Sequence, residues 1–478
     1  MITLFKKSMP GLALLGLVLG GCQPELEAPK ADKGSADFSK YVAVGNSLTA
    51  GYSDGGLYLE GQQNSYPNIL AQQFKLVGGG EFKQPLFAAA QSNGSGYLRF
   101  AGFTSAGSPN LQPVTTNLAV RGLSPAGTAL YTKFTDPVQN LAVPGIAVAD
   151  VNTVGYGSVA GNPYFERLLP GEAGDPATFM TYTSFVQSRV TAEKPTFFTL
   201  WLGNNDVLGF ATAGGASGAT TDPEVFATNY AGILDALTSG GAKGAVATIP
   251  NVTALPFFTT VGPSVRANLT KLSVPGMVIL TGAKPGGATS GNRKQIATAD
   301  IRDASGNGRQ LFTLTSSAYA PLLGAPTGKY WRDLAASRKL PVAALLATFE
   351  LDTTQAFGVS AGNPFPSALI LDDAEQATVQ KATTDLNLKI RAAAAAKGIP
   401  VADMNAFFVS VAGNGIAVNA VNNTVAYISG NLFSLDGVHP TPRGYAAIAN
   451  EFIQAINTAY NASVPKVNPN DYRGVTFP

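Results

Sequence analysis

The sequence predicts an α/β protein with a largely parallel sheet that helices cover on both faces. Three observations support this prediction. Short apolar runs typical of buried strands recur along the chain, segments with helical start and stop signals separate them, and 45% of the 478 residues are apolar, which is ample for a core. Buried strands that alternate with helices are typical of parallel sheets, whose strands are apolar on both faces.

Four apolar runs are predicted to be strands of this sheet, and a fifth segment is predicted to be a strand that leads into a turn. They are short and are bounded mainly by Gly, Pro, Asn or Asp, the residues that interrupt regular structure. The four runs are residues 41–44, 195–202, 244–249 and 399–404, and the strand-to-turn segment is residues 140–145.

Helical signals occupy the intervals between these runs. Asp222 is a candidate N-cap directly before Pro223, a residue favoured in the first turn of a helix. Gly398 is a candidate C-cap behind the longest helical stretch. One predicted helix begins near residue 66. Four others span residues 176–190, 222–237, 372–396 and 441–460.

Residues 39–478 are predicted to form one domain that carries two large insertions. Residues 76–135 are rich in Gly, Ser, Thr and aromatic side chains and show no clear helix, and residues 258–340 are similarly irregular. The chain contains 53 Gly and 31 Pro, so loops and turns are abundant. We therefore expect loops and short strands in both insertions.

Residues 1–21 have the features of a bacterial lipoprotein signal peptide. Lys6 and Lys7 precede an apolar run that is too short to span a bilayer as a stable helix. Small residues follow directly before Cys22, which resembles the lipobox whose Cys becomes the lipidated first residue of the mature protein. Cys22 is the only Cys in the chain. The alternative is an ordinary secretory signal in which Cys22 stands by chance.

Residues 22–38 show no periodicity and are predicted to be a polar tether. Gln23 resembles the residue that sorts bacterial lipoproteins to the outer membrane, so we expect a lipid-anchored protein of the cell envelope. Glu25 and Glu27 favour exposure at the cell surface only weakly. No second apolar stretch of about 18 residues follows, so acyl chains on Cys22 are the expected membrane anchor.

The charge and the residue counts exclude several classes of site. The formal net charge is +2, so no strong basic field indicates a nucleic-acid partner. One His and one Cys cannot build a zinc site of the His/Cys type, and one Cys cannot form a disulfide within the chain. We therefore expect no metal, no cofactor and no nucleic acid.

Four segments of small and polar residues are predicted to carry the chemistry. Three of them follow predicted strands, and the fourth lies near the C-terminus. In an open α/β sheet, functional sites lie outside the carboxyl ends of the strands, so we expect these segments to meet at one edge. They are residues 45–47, 144–145, 203–206 and 436–439.

These segments contain the groups that acyl transfer requires. The hydroxyl of Ser47 is a poor nucleophile until a base takes its proton, and His439 is the only imidazole in the chain. Asp436 can hold the tautomer of that imidazole and stabilise the imidazolium. The backbone N–H groups of Ser47 and Gly145 and the side-chain amide of Asn205 are candidate donors to the oxyanion of the tetrahedral intermediate.

The same segments resemble the sequence blocks of the SGNH hydrolases, also called GDSL-like lipases or esterases. Residues 45–48 are similar to the first block, with Asn46 where Asp is usual. Residues 144–145, 203–206 (G-x-N-D) and 436–439 (D-x-x-H) are similar to the later blocks, in the family order. The resemblance implies a flavodoxin-like three-layer α/β/α sandwich, the roles given above, and hydrolysis of carboxylic esters through an acyl-enzyme.

Other interpretations remain at this stage. Each segment alone is typical of a turn or a helix cap, and Asp206 is expected to hold its own loop through bonds to backbone N–H groups. The alternative function is that of a non-catalytic surface lipoprotein that binds glycan or lipid in its cleft. The substrate stays open between acetylated glycans and acyl lipids, because the two insertions are expected to reshape the cleft. The oligomeric state is not predicted.

Overall fold

A four-stranded parallel sheet organises the core of this computed structural model, which describes residues 30–105, 107–171, 175–282 and 292–478. The strands are β1 (Tyr41–Gly45), β2 (Tyr97–Phe103), β3 (Pro109–Val114), β4 (Val120–Leu123), β5 (Ala129–Tyr131), β6 (Phe197–Trp201), β7 (Lys243–Ala247), β8 (Gly276–Leu280), β9 (Arg293–Ala297), β10 (Leu311–Phe312), β11 (Ile370–Leu371), β12 (Val401–Ala402), β13 (Ile416–Val418) and β14 (Val421–Asn423). The order in the central sheet is β1–β6–β7–β12, with every pair parallel. All residues of β1 and β6 are buried, as parallel strands with two covered faces require.

The four apolar runs are confirmed as strands of this sheet, whereas the segment 140–145 forms no regular strand. It runs parallel to β1 for a few residues: the N–H of Leu141 donates to the oxygen of Ala43 at 2.8 Å, and the N–H of Val143 donates to Gly45 at 3.0 Å. Pro144 follows and has no N–H to continue this pattern, so the pairing ends there.

Helices fill the connections between the strands. They are α1 (Ser47–Ala50), α2 (Leu59–Gln63), α3 (Tyr66–Lys75), α4 (Pro163–Glu166), α5 (Tyr182–Glu193), α6 (Asn205–Thr212), α7 (Pro223–Thr238), α8 (Pro256–Thr259), α9 (Gly262–Lys271), α10 (Lys329–Arg338), α11 (Val342–Thr348), α12 (Asp373–Ala396), α13 (Met404–Asn414) and α14 (Pro442–Tyr460). The five predicted helices form as α3, α5, α7, α12 and α14, and Asp222 caps α7 by accepting from the N–H of Glu224 at 2.9 Å. Among the described residues, no helix is both long enough and apolar enough to cross a membrane.

Two groups of helices pack around the central sheet. Helix α14 contacts α3, β7 and β12, while α7 contacts both α5 and α12. Tyr66 of α3 stacks on Phe452 of α14 with ring centroids 4.9 Å apart, and it meets Trp201 of β6 edge-on. The indole N–H of Trp201 donates to the backbone oxygen of Thr248 at 3.1 Å, so this large side chain is buried without an unpaired donor.

The folded region begins before residue 39, where the predicted tether ends. Ala36 and Phe38 are buried, and the Phe38 ring stacks on Phe74 with centroids 4.1 Å apart. The last part of the predicted tether is therefore packed against the domain. Residues 31–478 form one compact unit. The predicted signal peptide and the lipidation site Cys22 lie outside the described residues.

The two predicted insertions differ in content. Residues 76–135 contain the antiparallel pairs β2–β3 and β4–β5, and the described part of this range contains no α-helix. The second region is more helical and longer than predicted, because it contains α9, α10 and α11 and has its own apolar cluster that extends from Val261 to Ile370. Helix α9 buries only Gly262, Val265 and Leu269, too few apolar positions for a clear helical pattern in the sequence.

Two leucines on α12 provide a matched test of this packing. Leu386 is fully buried, whereas Leu388 is 61% exposed. We expect Leu386→Ala to lower the free energy of unfolding by about 2–5 kcal/mol, because it opens a cavity. Leu388→Ala is expected to change it by less than about 0.5 kcal/mol. Urea denaturation followed by circular dichroism measures both, and equal losses would contradict the packing of α12.

Candidate active site

Ser47 is the first residue of α1 and follows β1 after a tight turn. The turn is crowded: a Cβ on Gly45 would lie 1.9 Å from Oγ1 of Thr49, so only glycine fits there. The side-chain oxygen of Asn46 caps α1 by accepting from the N–H of Leu48 at 3.2 Å. These features place Ser47 at the carboxyl edge of the sheet with 7% of its surface exposed.

A chain of two hydrogen bonds connects Ser47, His439 and Asp436. Nε2 of His439 lies 2.9 Å from Oγ of Ser47, and Nδ1 lies 2.9 Å from Oδ2 of Asp436. Ser47 and His439 are 392 residues apart in the sequence. With the imidazole proton on Nδ1, Nε2 is free to accept the hydroxyl proton of Ser47.

Asp436 and His439 belong to a loop, residues 434–440, which we call the Asp–His loop. Oδ1 of Asp436 accepts from the backbone N–H groups of Val438 and His439, both at 2.8 Å. Burial raises the pKa of the Asp436 carboxyl, but the charge of His439 and these hydrogen bonds outweigh it and hold that pKa below its ordinary value. Asp436 is therefore a carboxylate at neutral pH.

Gly145 lies in an exposed turn that two amide side chains hold. Its φ is +86°, a left-handed conformation that side chains disfavour, and a Cβ would lie 3.3 Å from Nδ2 of Asn162. Nδ2 of Asn162 donates to the oxygen of Pro144 at 2.8 Å. Nδ2 of Asn205 donates to the oxygen of Ile146, also at 2.8 Å, so the structure brings Asn205 beside the Gly145 turn.

The turns that carry Ser47, Gly145 and Asn205 follow chain segments that lie next to one another. Gly45 at the end of β1 pairs in register with Trp201 at the end of β6. Gly45 also accepts from the N–H of Val143, at 3.0 Å. The segments at residues 45–47, 144–145 and 203–206 therefore emerge at the same edge, where the Asp–His loop also lies.

Asp206 holds the segment that follows Gly145, rather than its own loop as expected from the sequence. Its carboxylate accepts from the N–H of Val148 at 2.8 Å, from the N–H of Ala149 at 3.1 Å and from Oγ1 of Thr221 at 2.8 Å. Burial raises the pKa of Asp206 to about 6, although these hydrogen bonds oppose the shift. Asp206 thus connects the two turns that carry Gly145 and Asn205.

Sequence reasoning did not identify three side chains that contact the residues of the site or the loops that carry them. The ring of Tyr52 lies against His439 with centroids 4.6 Å apart, and Asp54 accepts from the N–H of Leu435 at 3.0 Å. Asn162 was also missed; its position before Pro163 indicates a helix start, but not a contact with the Gly145 turn. These contacts join distant parts of the chain, so no local pattern indicates them.

Metal ligands are not clustered at this site. In the four described ranges, no group of three or more His, Cys, Asp or Glu side chains is arranged to hold a metal ion. The polar groups at the edge of the sheet are a hydroxyl, an imidazole, a carboxylate, amides and backbone N–H groups. This set can transfer protons and stabilise an oxyanion.

Comparisons with known proteins give a family model and several similar solved structures. A family model described as GDSL-like lipase/acylhydrolase matches residues 41–274, a range that includes Ser47, Gly145 and Asn205. Among solved structures, an extracellular lipase from Streptomyces rimosus aligns over 87% of this chain and 98% of that chain, with 12% sequence identity and a TM-score of 0.27. No curated protein matches the chain.

The lowered pKa of Asp436 predicts how its contribution to stability depends on pH. A carboxyl whose pKa is lower in the folded state stabilises the fold above its ordinary value near 3.8, and this stabilisation is lost as the pH falls through the folded-state pKa. The difference in free energy of unfolding between wild type and Asp436→Asn should therefore shrink below a pH of about 4. Urea titrations at several pH values measure it, and a constant difference would contradict the prediction.

Proposed function

We propose that the chain is a serine esterase that acts through Ser47, His439 and Asp436, in keeping with the match of residues 41–274 to the GDSL-like lipase/acylhydrolase family model. The observation that carries this proposal is the continuous hydrogen-bonded chain from Oγ of Ser47 through both ring nitrogens of His439 to Asp436. This arrangement supplies a nucleophile, a base and a group that orients the base.

In the proposed first step, Oγ of Ser47 attacks the carbonyl carbon of an ester while Nε2 of His439 takes the hydroxyl proton. A C–O bond forms, and the former carbonyl oxygen becomes an oxyanion. The Asp436 carboxylate accepts a hydrogen bond from Nδ1 of His439 and stabilises the imidazolium. Because Asp436 is ionised at neutral pH, it can do this without a further proton transfer.

The tetrahedral intermediate then collapses and breaks the bond to the alcohol. The alcohol leaves with the proton from His439, and the acyl group remains on Ser47. Water attacks this acyl-enzyme, again giving a proton to His439, and the carboxylic acid is released with Ser47 restored. The cycle consumes one water and produces one alcohol and one acid.

The proposed oxyanion donors are the backbone N–H groups of Ser47 and Gly145 and the side-chain amide of Asn205. One N–H of that amide bonds to Ile146, which fixes the direction of the second N–H. Asp206 and Asn162 restrain the same turn, so the donors are in place before the charge develops. Such preorganised donors stabilise the transition state more than the substrate.

We further propose that the core is the flavodoxin-like three-layer sandwich of the SGNH hydrolases and that the chain acts at the cell envelope. Cys22 is the proposed site of lipidation, with the outer membrane as the proposed location. The proposed substrates are acylated small molecules, glycans or lipids, and the acyl chain length stays open.

Substitution of Ser47 tests the proposed activity directly. The purified chain is expected to hydrolyse p-nitrophenyl acetate, butyrate or a long-chain ester, and Ser47→Ala and His439→Ala should each lower kcat by about 10³-fold or more. The chain has no second imidazole that could replace His439. The rates for the three esters show which chain length is preferred. A folded protein without Ser47-dependent turnover on any ester would instead favour the non-catalytic binding function.

Asn205→Ala tests the proposed oxyanion donor. We expect kcat to fall by about 10²–10³-fold with a smaller change in KM, because the lost bond forms mainly in the transition state. Asn422→Ala is a matched control at an exposed position of β14 and should leave kcat unchanged. A loss smaller than about threefold for Asn205→Ala would remove this amide from the proposed site.

A further inference from the structure

Asp54 is a buried acid that the proposed reaction does not use. It follows α1, is 6% exposed and has a φ of +54°. A residue other than glycine keeps this left-handed conformation only where its surroundings fix it, and such residues cluster at functional sites. The contacts that fix Asp54 lead to the Asp–His loop.

Asp54 bonds to the two residues that precede Asp436. Its Oδ1 accepts from the N–H of Leu435 at 3.0 Å, and its own N–H donates to Oγ of Ser434 at 2.8 Å. Oγ of Ser434 in turn donates to Oδ1 of Asp436 at 3.2 Å. The second oxygen of Asp54 accepts from the hydroxyl of Tyr58 at 2.7 Å, so both carboxylate oxygens have donors.

The residues on either side of Asp54 reinforce this connection. Oγ of Ser53 donates to the oxygen of Pro440 at 3.0 Å, and the N–H of Gly55 donates to Oδ2 of Asp436 at 2.8 Å. Residues 53–55 therefore contact the beginning, the middle and the end of the Asp–His loop. Because they follow closely after the short helix that begins at Ser47, they connect the nucleophile to the loop that carries its base.

We propose that Asp54 is a positioning residue, which fixes the Asp–His loop relative to Ser47 and adds a second negative charge behind Asp436. This inference rests on the proposed esterase function. Asp54 touches neither the hydroxyl of Ser47 nor the ring of His439, so it acts through Asp436 and the loop backbone.

The groups around Asp54 permit its carboxyl to carry a negative charge near Asp436. Burial raises the pKa of the Asp54 carboxyl, while the bonds from Leu435 and Tyr58 and the charge of Arg473 oppose this. Arg473 also pairs with Glu60 at 2.5 Å, so its charge is shared. Burial raises the pKa of each neighbouring tyrosine, which is neutral at ordinary pH. The titratable groups that face Asp54 are Tyr58, Tyr97, Tyr427, Asp436, Tyr445 and Arg473.

Asp54→Asn removes the negative charge of the side chain but keeps its shape. The amide oxygen of the substituted side chain can still accept from Leu435, so the loop keeps its anchor while the negative charge is lost. Asp54→Ala removes both. We expect kcat to fall about tenfold in Asp54→Asn and about tenfold further in Asp54→Ala. We also expect the acidic limb of the pH–rate profile to move to lower pH in Asp54→Asn, because the imidazolium loses a stabilising charge.

The single histidine makes this charge effect measurable without turnover. In the untagged chain with labelled histidine, NMR gives the titration midpoint of one imidazole, which is that of His439. We expect the midpoint to move down by roughly half a pH unit in Asp54→Asn. Asp372→Asn, at the buried N-cap of α12, removes a buried aspartate elsewhere and should leave the midpoint unchanged.

The outcomes distinguish this inference from the proposed function. Ser47-dependent turnover with an unchanged midpoint and unchanged kcat in Asp54→Asn would overturn the inference alone. A shifted midpoint in a chain without turnover would reject the esterase and support the effect of Asp54 on His439. If Asp54→Asn does not fold, Tyr58→Phe removes one donor to Asp54 and should lower kcat about threefold with KM unchanged. An unchanged kcat in that variant would also overturn the inference.

Discussion

The geometry of the site depends on the carboxylate of Asp436. One oxygen accepts from the backbone N–H groups of Val438 and His439, and the other accepts from the N–H of Gly55 and faces the imidazole. These bonds compensate for the burial of a charge, which would otherwise be protonated or moved into water. They also hold the loop that carries His439, whose one ring nitrogen faces Asp436 and whose other faces Ser47.

Two parts of the fold position the residues of the site. The turns of Ser47 and Asn205 leave β1 and β6, which end side by side, and the Gly145 turn follows a short segment that runs along β1, so all three lie at one edge of the sheet. The Asp–His loop belongs to no strand of that sheet and needs separate anchors. Residues 53–55 provide them on one side, and α14, which begins directly after the loop, provides a rigid continuation on the other.

Sequence reasoning succeeded where a local pattern has a single physical cause. The buried strands are short apolar runs with clear ends, and the helices α7, α12 and α14 carry recognisable caps. It failed where the cause is tertiary. Phe38 is a single aromatic residue in a polar stretch, and only its contact with Phe74 shows that it is packed. The bond between Asp54 and Leu435 spans 381 residues, so neither residue indicates the other in the sequence.

The distance of 392 residues between Ser47 and His439 has a consequence for biosynthesis. A ribosome makes the nucleophile early and the only histidine late, so the nascent chain holds an unactivated hydroxyl during most of its translation. Nothing upstream can replace the missing base, since no other imidazole exists in the chain. A product released before residue 439 would lack the group that activates Ser47. Translation must therefore pass residue 439 before Ser47 can be activated.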